Sequence, residues 1–367
     1  MTFFPGLLRR SVGIIAVAVA SACNAGSVPA TYAPPLAPLF GRAGISSCAS
    51  QTCVYVTDNA GTGQHPHDNK VVAFSHDADG NVPPVAQIAG PKSRLPYPRA
   101  VALDASRNIY VSNFTPLQKL KNIDVFAAGS TGNAAPLRTI AGAATQLHAP
   151  GAISVDGAGN IYALDQYGAT SGCFDPTHGC WTINVYAAGA AGNVAPLRSI
   201  RGPATKLYYA YGIATDGAGN AYVADGYPIN CCVSVYAAGS SGNVKPTRTI
   251  EGSKTALYVP VGIALDSAGS TYVLNAEGSP TRSVTVYAAG AKGNVKPIRM
   301  IVGQKTGLYA APVGIAVDRG GRLYVLQSGT ENSISVFAPG ANGNVAPIRV
   351  ITGSKTAMTN PWSIAAQ

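Results

Sequence analysis

The chain is short of charge. Only 11% of its 367 residues are Asp, Glu, Lys or Arg, and Glu251, Glu277 and Glu331 are its three glutamates. With carboxylates this sparse, no pair reads as a general acid and base. A GxSxG elbow and a Gly-rich phosphate loop between strand and helix are both missing, which removes the hydrolase and nucleotide-binding signatures. The longest apolar run, VGIIAVAVA at residues 12–20, is too short to span a bilayer. What the chain does have is 42 Gly, 26 Pro and 18 Tyr beside abundant Ala, Val and Ile. That profile belongs to many short strands joined by tight turns, with little helix.

The organising feature is a sentence written six times. Residues 233–252, VSVYAAGSSGNVKPTRTIEG, have five counterparts whose Gly-Asn turn recurs at Asn81, Asn133, Asn193, Asn243, Asn294 and Asn344, at spacings of 52, 60, 50, 51 and 50 residues. A period of that size means stacked supersecondary units, none able to bury its apolar faces alone. Each unit parses into four strands. In the fourth copy these are a (GIAT, 212–215), b (AYVA, 221–224), c (VSVYA, 233–237) and d (TRTIE, 247–251), with Gly, Asn and Asp punctuating the turns. Pro-x-Arg recurs on strand d at Pro136/Arg138, Pro196/Arg198, Pro246/Arg248, Pro297/Arg299 and Pro347/Arg349, which reads as a device protecting an exposed outer edge. Six four-stranded sheets arranged radially make an all-β six-bladed β-propeller. The final residues 362–366 (WSIAA) repeat the start of strand a and stop, so the C-terminal strand is expected to complete the N-terminal blade; GISSC at 44–48 competes for that place.

Residues 1–22 read as a signal peptide, with Arg9 and Arg10 before the apolar run and small residues before Cys23. ASAC at 20–23 resembles a bacterial lipobox, with Cys23 the lipidated residue, although Ala20 stands where Leu is usual and ordinary cleavage after Ala22 is the alternative. Residues 23–43, rich in Pro and Ala, then form a tether reaching roughly 60 Å from the membrane. The localisation expected is the cell envelope, anchored by lipid, with soluble export as the other outcome. The remaining cysteines fall into three local pairs, Cys48/Cys53, Cys173/Cys180 and Cys231/Cys232, as disulfides would in an oxidising compartment. A vicinal Cys231–Cys232 bond and cross-bridges to the Cys173/Cys180 loop are both open. Without the leader the chain keeps 24 basic against 16 acidic side chains, a balance that suits anionic envelope surfaces once export has removed nucleic acid as a partner.

Length variation among the copies gathers in the b-to-c loops, from residues 327–332 to residues 165–182, and these loops share one face with the d-to-a connections. That face is the expected binding surface. Its candidate contacts are Tyr167, Phe174, Trp181, Tyr209, Tyr211, Tyr227, Cys231, Cys232 and Trp362; Tyr208, Tyr258 and Tyr309 are assigned with Leu207, Leu257 and Leu308 to sealing blades together. Asp104, Asp156, Asp216, Asp266 and Asp318 recur at the end of strand a and suit Asx turns. Asp58, Asp165 and Asp225, ending strand b, are the better chemical candidates because their equivalents vary. Candidate metal ligands are His65, His67, His148 and His178.

The stretch GIATDGAGNAYVAD, with four related copies, resembles the NHL repeat, and the resemblance covers roughly residues 44–367. No Trp-Asp dipeptide points to WD40 blades, and the second half of each unit, VYAAGxxGNVxPxR, departs from the usual NHL wording. The resemblance implies a six-bladed propeller. It leaves open a non-catalytic protein- or glycan-binding role, a metal-dependent lyase or lactonase of NHL or gluconolactonase-like type using those histidines, or a structural surface protein. The first is expected, as a monomer without a cofactor.

Overall fold

The structure, a computed structural model, describes residues 48, 52–59, 68–115, 120–166, 181–226, 232–276 and 282–367. The leader, the tether and Cys23 lie outside them, as do Cys173, Cys180 and Cys231. The described strands form six four-stranded antiparallel sheets. Blade 1 contains β1 (Cys53–Asp58), β2 (Lys70–Ser75) and β3 (Ala86–Ala89). Blade 2 is β4 (Pro98–Leu103), β5 (Ile109–Thr115), β6 (Leu120–Phe126) and β7 (Arg138–Ala141). Blade 3 is β8 (Pro150–Val155), β9 (Ile161–Gln166), β10 (Trp181–Tyr186) and β11 (Arg198–Ile200). Blade 4 is β12 (Ala210–Thr215), β13 (Ala221–Asp225), β14 (Cys232–Tyr236) and β15 (Arg248–Glu251). Blade 5 is β16 (Pro260–Leu265), β17 (Thr271–Asn275), β18 (Ser283–Tyr287) and β19 (Arg299–Val302), and blade 6 is β20 (Ala311–Val317), β21 (Leu323–Ser328), β22 (Ser333–Phe337) and β23 (Arg349–Thr352). The last strand, β24 (Pro361–Ala366), pairs with β1 through Val54↔Ala366 and Val56↔Ile364 and completes blade 1. The chain ends therefore close the ring, and the inner position of blade 1 belongs to β24 rather than to residues 44–48.

The core lies between blades. Alternate residues of β1 face opposite neighbours, as the two-residue strand period requires. Cys53 and Tyr55 pack with Val101, Ile109 and Val111 of blade 2, while Val54 and Val56 pack with Tyr324, Leu326 and Ile334 of blade 6. Each buried Val, Leu or Ile contributes roughly 1.5–3 kcal/mol. A central strand covered on both faces is apolar throughout, which is why CVYVT and AYVA lack alternation.

The Gly-Asn turn proves to be a clasp between blades. In every copy its glycine joins the outer strand of the preceding blade: Gly242 N donates to Ser199 O at 2.7 Å and Gly242 O accepts from Arg201 N at 3.1 Å. The neighbouring asparagine caps the 3-10 turn that follows that strand, Asn243 Oδ1 accepting from Ala204 N at 2.8 Å. The same cap is made by Asn81, Asn133, Asn193, Asn294 and Asn344 on Lys355, Lys92, Ala144, Lys254 and Lys305. The outer edge is thus blunted by the next blade. The Pro-x-Arg arginines turn inward instead: Arg248 Nη2 donates to the Tyr222 hydroxyl at 2.6 Å with its guanidinium 5.3 Å from the ring centroid, and Tyr222 donates on to Asp216 at 3.4 Å. Arg138, Arg198 and Arg299 repeat the contact on Tyr110, Tyr162 and Tyr272. Only Arg349 differs, bonding to His76 O of blade 1. A flat cation stacked on a ring gains contact that an edge position would leave to water.

Two cysteine expectations resolve differently. Cys48 and Cys53 are joined, with their Cα atoms 5.6 Å apart. Cys232 is a free buried thiol, a correction to its place among the disulfides and among the candidate loop-face contacts. It opens β14 opposite Asp225 and Glu251, with Sγ 3.6 Å from Ser234 Oγ, so its side chain is held inside the blade.

Candidate functional site

The inner strand of each blade carries a β-bulge near its first residues. Asn113 faces Pro98 and Ser112 faces Ala100, so Arg99 is the extra residue; the same shift isolates Tyr211, Val261, Val313 and Trp362, and blade 3 slips across Gly151 and Ala152. A bulge re-aims the unpaired side chain. The six bulge residues in ring order, Trp362, Arg99, Gly151, Tyr211, Val261 and Val313, all line one cavity of about 550 Å³ on the propeller axis. The next position is small in every blade: Ala100, Ala152, Gly212, Gly262, Gly314 and Ser363. Below it stand Val101, Ile153, Ile213, Ile263, Ile315 and Ile364, an aliphatic floor. Small residues are required there, because a Cβ on Gly212 would come within 3.0 Å of Gly262 Cα.

The mouth is chemically lopsided. One side presents Trp362 and Arg99, with Tyr97 and Phe114 behind the guanidinium, and continues through Gln166, Trp181, Tyr209 and Tyr211. Trp181 and Tyr211 meet at 6.4 Å between ring centroids, tilted by 60°, across the gap that Gly151 leaves. Val261 and Val313 make the other side. Burial lowers the pKa of Arg99 from its ordinary value, with Tyr97 acting in the other direction. Hydroxyls tie neighbouring blades together, as where Ser363 Oγ accepts from Val101 N at 3.3 Å and Ser112 Oγ on β5 donates to Gly151 O at 2.7 Å.

Of the expected contact residues, the structure gathers Trp181, Tyr209, Tyr211 and Trp362 at this mouth and leaves Cys232 within its blade. Tyr167, Phe174, Tyr227 and Cys231 lie outside the described residues. Leu207 and Leu308 do seal blades, but Tyr258 and Tyr309 are 53% and 62% exposed. The strand-b carboxylates are structural. Asp58 accepts from Thr359 N and Asn360 N, Asp165 from His148 N and Ala149 N, and Asp225 from Tyr208 N and Tyr209 N, each fully buried and steering the chain into an inner strand. The strand-a carboxylates hold Asx turns, Asp216 Oδ1 accepting from Ala218 N and Asn220 N. His148 Nδ1 lies 3.3 Å from Asp165. His65, His67 and His178 are outside the described residues, among which no three His, Cys, Asp or Glu side chains group to hold a metal.

Arg99 was not among the expected residues. Its signal was present: the position after the proline that opens most inner strands reads Trp, Arg, Gly, Tyr, Val and Val, unlike any other column of strand a.

Twenty-four strands in six sheets around an axial cavity define a six-bladed β-propeller. No family model matches the chain, and no curated protein does. Solved structures do. A chain of a nidogen/laminin complex is similar with a TM-score of 0.53 at 14% identity, over 86% of this chain and 97% of its own. A protein of unknown function from Bacteroides caccae is similar at 0.55 and 13% identity, over 86% and 98%. At these identities the likeness is one of fold.

Proposed function

We propose that this is an exported, NHL-like propeller that binds a protein or glycan partner at the mouth of its axial channel, without catalysis. In this reading residues 1–22 are removed as a leader, Cys23 carries the lipid, and residues 23–43 hold residues 44–367 clear of the membrane. One observation carries the proposal: within the repeated strands the scaffold is close to six-fold, yet the bulge ring that faces the channel reads Trp362, Arg99, Gly151, Tyr211, Val261 and Val313. A ring made only for closure has no need of Arg, Trp and Tyr on one side and Val on the other. Aromatic side chains and arginine are the residues that dominate binding energy at interfaces. The wide, lopsided opening suits an inserted side chain or loop better than a flat contact.

The test is site-specific photo-crosslinking on the full chain in its native envelope. A photoreactive residue at Tyr211 or Val261 is expected to trap a discrete partner, and one at Leu137 or Leu197, exposed on the outer strands' approach, is expected to trap none. Equal capture at both sets refutes a mouth-directed interaction.

A further inference from the structure

Arg99 is a cation without a counter-ion. Among the described residues no carboxylate pairs with it and no acceptor bonds to its guanidinium. Its partners are rings, with Cζ 4.4 Å from the centroid of Trp362, 5.1 Å from Tyr97 and 5.9 Å from Phe114. Stacking covers the flat faces of a guanidinium and leaves its in-plane N–H edge unsatisfied. The open N–H edge of the stacked guanidinium matches an acceptor with two oxygens and a negative charge.

The surroundings narrow the choice further. The cavity is lined by small residues and, two strand positions beyond the bulge ring, by an aliphatic floor. We infer that the mouth captures the free C-terminal carboxylate of a peptide whose last residue is aliphatic, the carboxylate on Arg99 and the side chain passing the ring of small residues toward Ile213 and Ile263. This rests on the channel-mouth reading above. A chain end enters a closed ring once, whereas an internal acidic residue must bring the chain both in and out past Trp181, Tyr211 and Trp362. A sugar acid supplies the charge but has no group for the aliphatic floor.

The chain's two tryptophans, Trp181 and Trp362, both line the mouth, so intrinsic fluorescence reports on its occupancy. The full chain is titrated with acetyl-Gly-Ala-Leu as the free acid and as the amide. The acid is expected to give a saturable change, with the amide weaker by roughly tenfold to a hundredfold, the range of a charge-assisted bond. Arg99→Met is expected to lose acid binding by a similar factor and Arg99→Lys to recover part of it. Equal binding of acid and amide, or no saturable change with the acid, overturns the inference. A tighter response to an amidated peptide with an internal Glu, or to glucuronate, overturns the chain-end assignment. Should Arg99→Met fail to fold, the comparison of acid with amide on the unaltered chain decides. If crosslinking at Tyr211 traps a partner while the acid peptide does not bind, the channel-mouth reading stands and this inference falls.

Discussion

Replacing Asp124 by asparagine should make the propeller more stable as pH rises, by an amount the structure allows to be worked out. Asp124 is fully buried on β6, where the equivalent positions of the other blades are Val72, Asn184, Ser234, Thr285 and Ser335. Its oxygens accept from Thr139 Oγ1 at 2.5 Å, Asn122 Nδ2 at 2.6 Å and Asn113 Nδ2 at 3.0 Å, all neutral donors. Burial outweighs those bonds and raises its pKa from 3.8 to about 6. The folded state therefore holds the proton more tightly than the unfolded one. The resulting stabilisation is complete below the unfolded value and is lost as pH rises through the folded one. Two pH units at 1.36 kcal/mol each come to about 3 kcal/mol. Asparagine at this position does not titrate, keeps the bond from Thr139, and can turn its amide toward Asn113 Oδ1, which has no partner. The difference in unfolding free energy, Asp124→Asn minus parent, should then grow by about 3 kcal/mol between roughly pH 3 and pH 7.5. Urea unfolding followed by tryptophan fluorescence at several pH values measures it, and any constant effect of the substitution cancels. A difference that stays flat, or shrinks with rising pH, refutes the reasoning.

The clasp between blades predicts that Gly202→Ala costs roughly 3–5 kcal/mol, because Gly202 has φ +120 and a Cβ there comes 2.6 Å from Asn243 Oδ1. Adding Asn243→Gly should recover part of that loss, and strictly additive effects in the double-mutant cycle would contradict the contact. Reducing the Cys48–Cys53 bond, which closes a short loop before β1, should lower stability by about 2 kcal/mol; unchanged urea midpoints with reductant would count against it. Burial raises the Cys232 thiol pKa to about 12, so peptide mapping after alkylation should find it unmodified in the folded protein and modified in denaturant without reductant. Protection that persists in denaturant would mean a disulfide. Deleting residues 361–367 removes β24 from blade 1 and should abolish cooperative unfolding, whereas a normal transition would show that the ring does not need its closing strand.

The fold was legible because every blade solves the same problem with the same words. Six Gly-Asn turns in register and a terminal half-repeat were enough to specify blade number and closure. The edge device was misread for a physical reason. Pro-x-Arg was judged within its own strand, while the contact that protects Ile200 and its neighbours comes from Gly242 and Asn243 about forty residues later in the next blade. Cys232 misled in a similar way, since adjacency to Cys231 suggested a bond and the strand register places its side chain in the core. The site was half legible. Aromatic residues on the variable face led to Trp181, Tyr209, Tyr211 and Trp362, but Arg99 occupies a column whose members share a backbone bulge and no chemistry, and attention to repetition passes over such a column.

The most direct measurement of the central claim is acrylamide quenching of the chain's two tryptophans with and without the partner recovered by crosslinking. If binding occurs at the channel mouth, Trp181 and Trp362 both become protected in the complex, and Tyr211→Ala weakens the protection together with the binding. A complex that forms at full affinity while both tryptophans remain as accessible as in the free protein would place the interaction elsewhere and contradict the account.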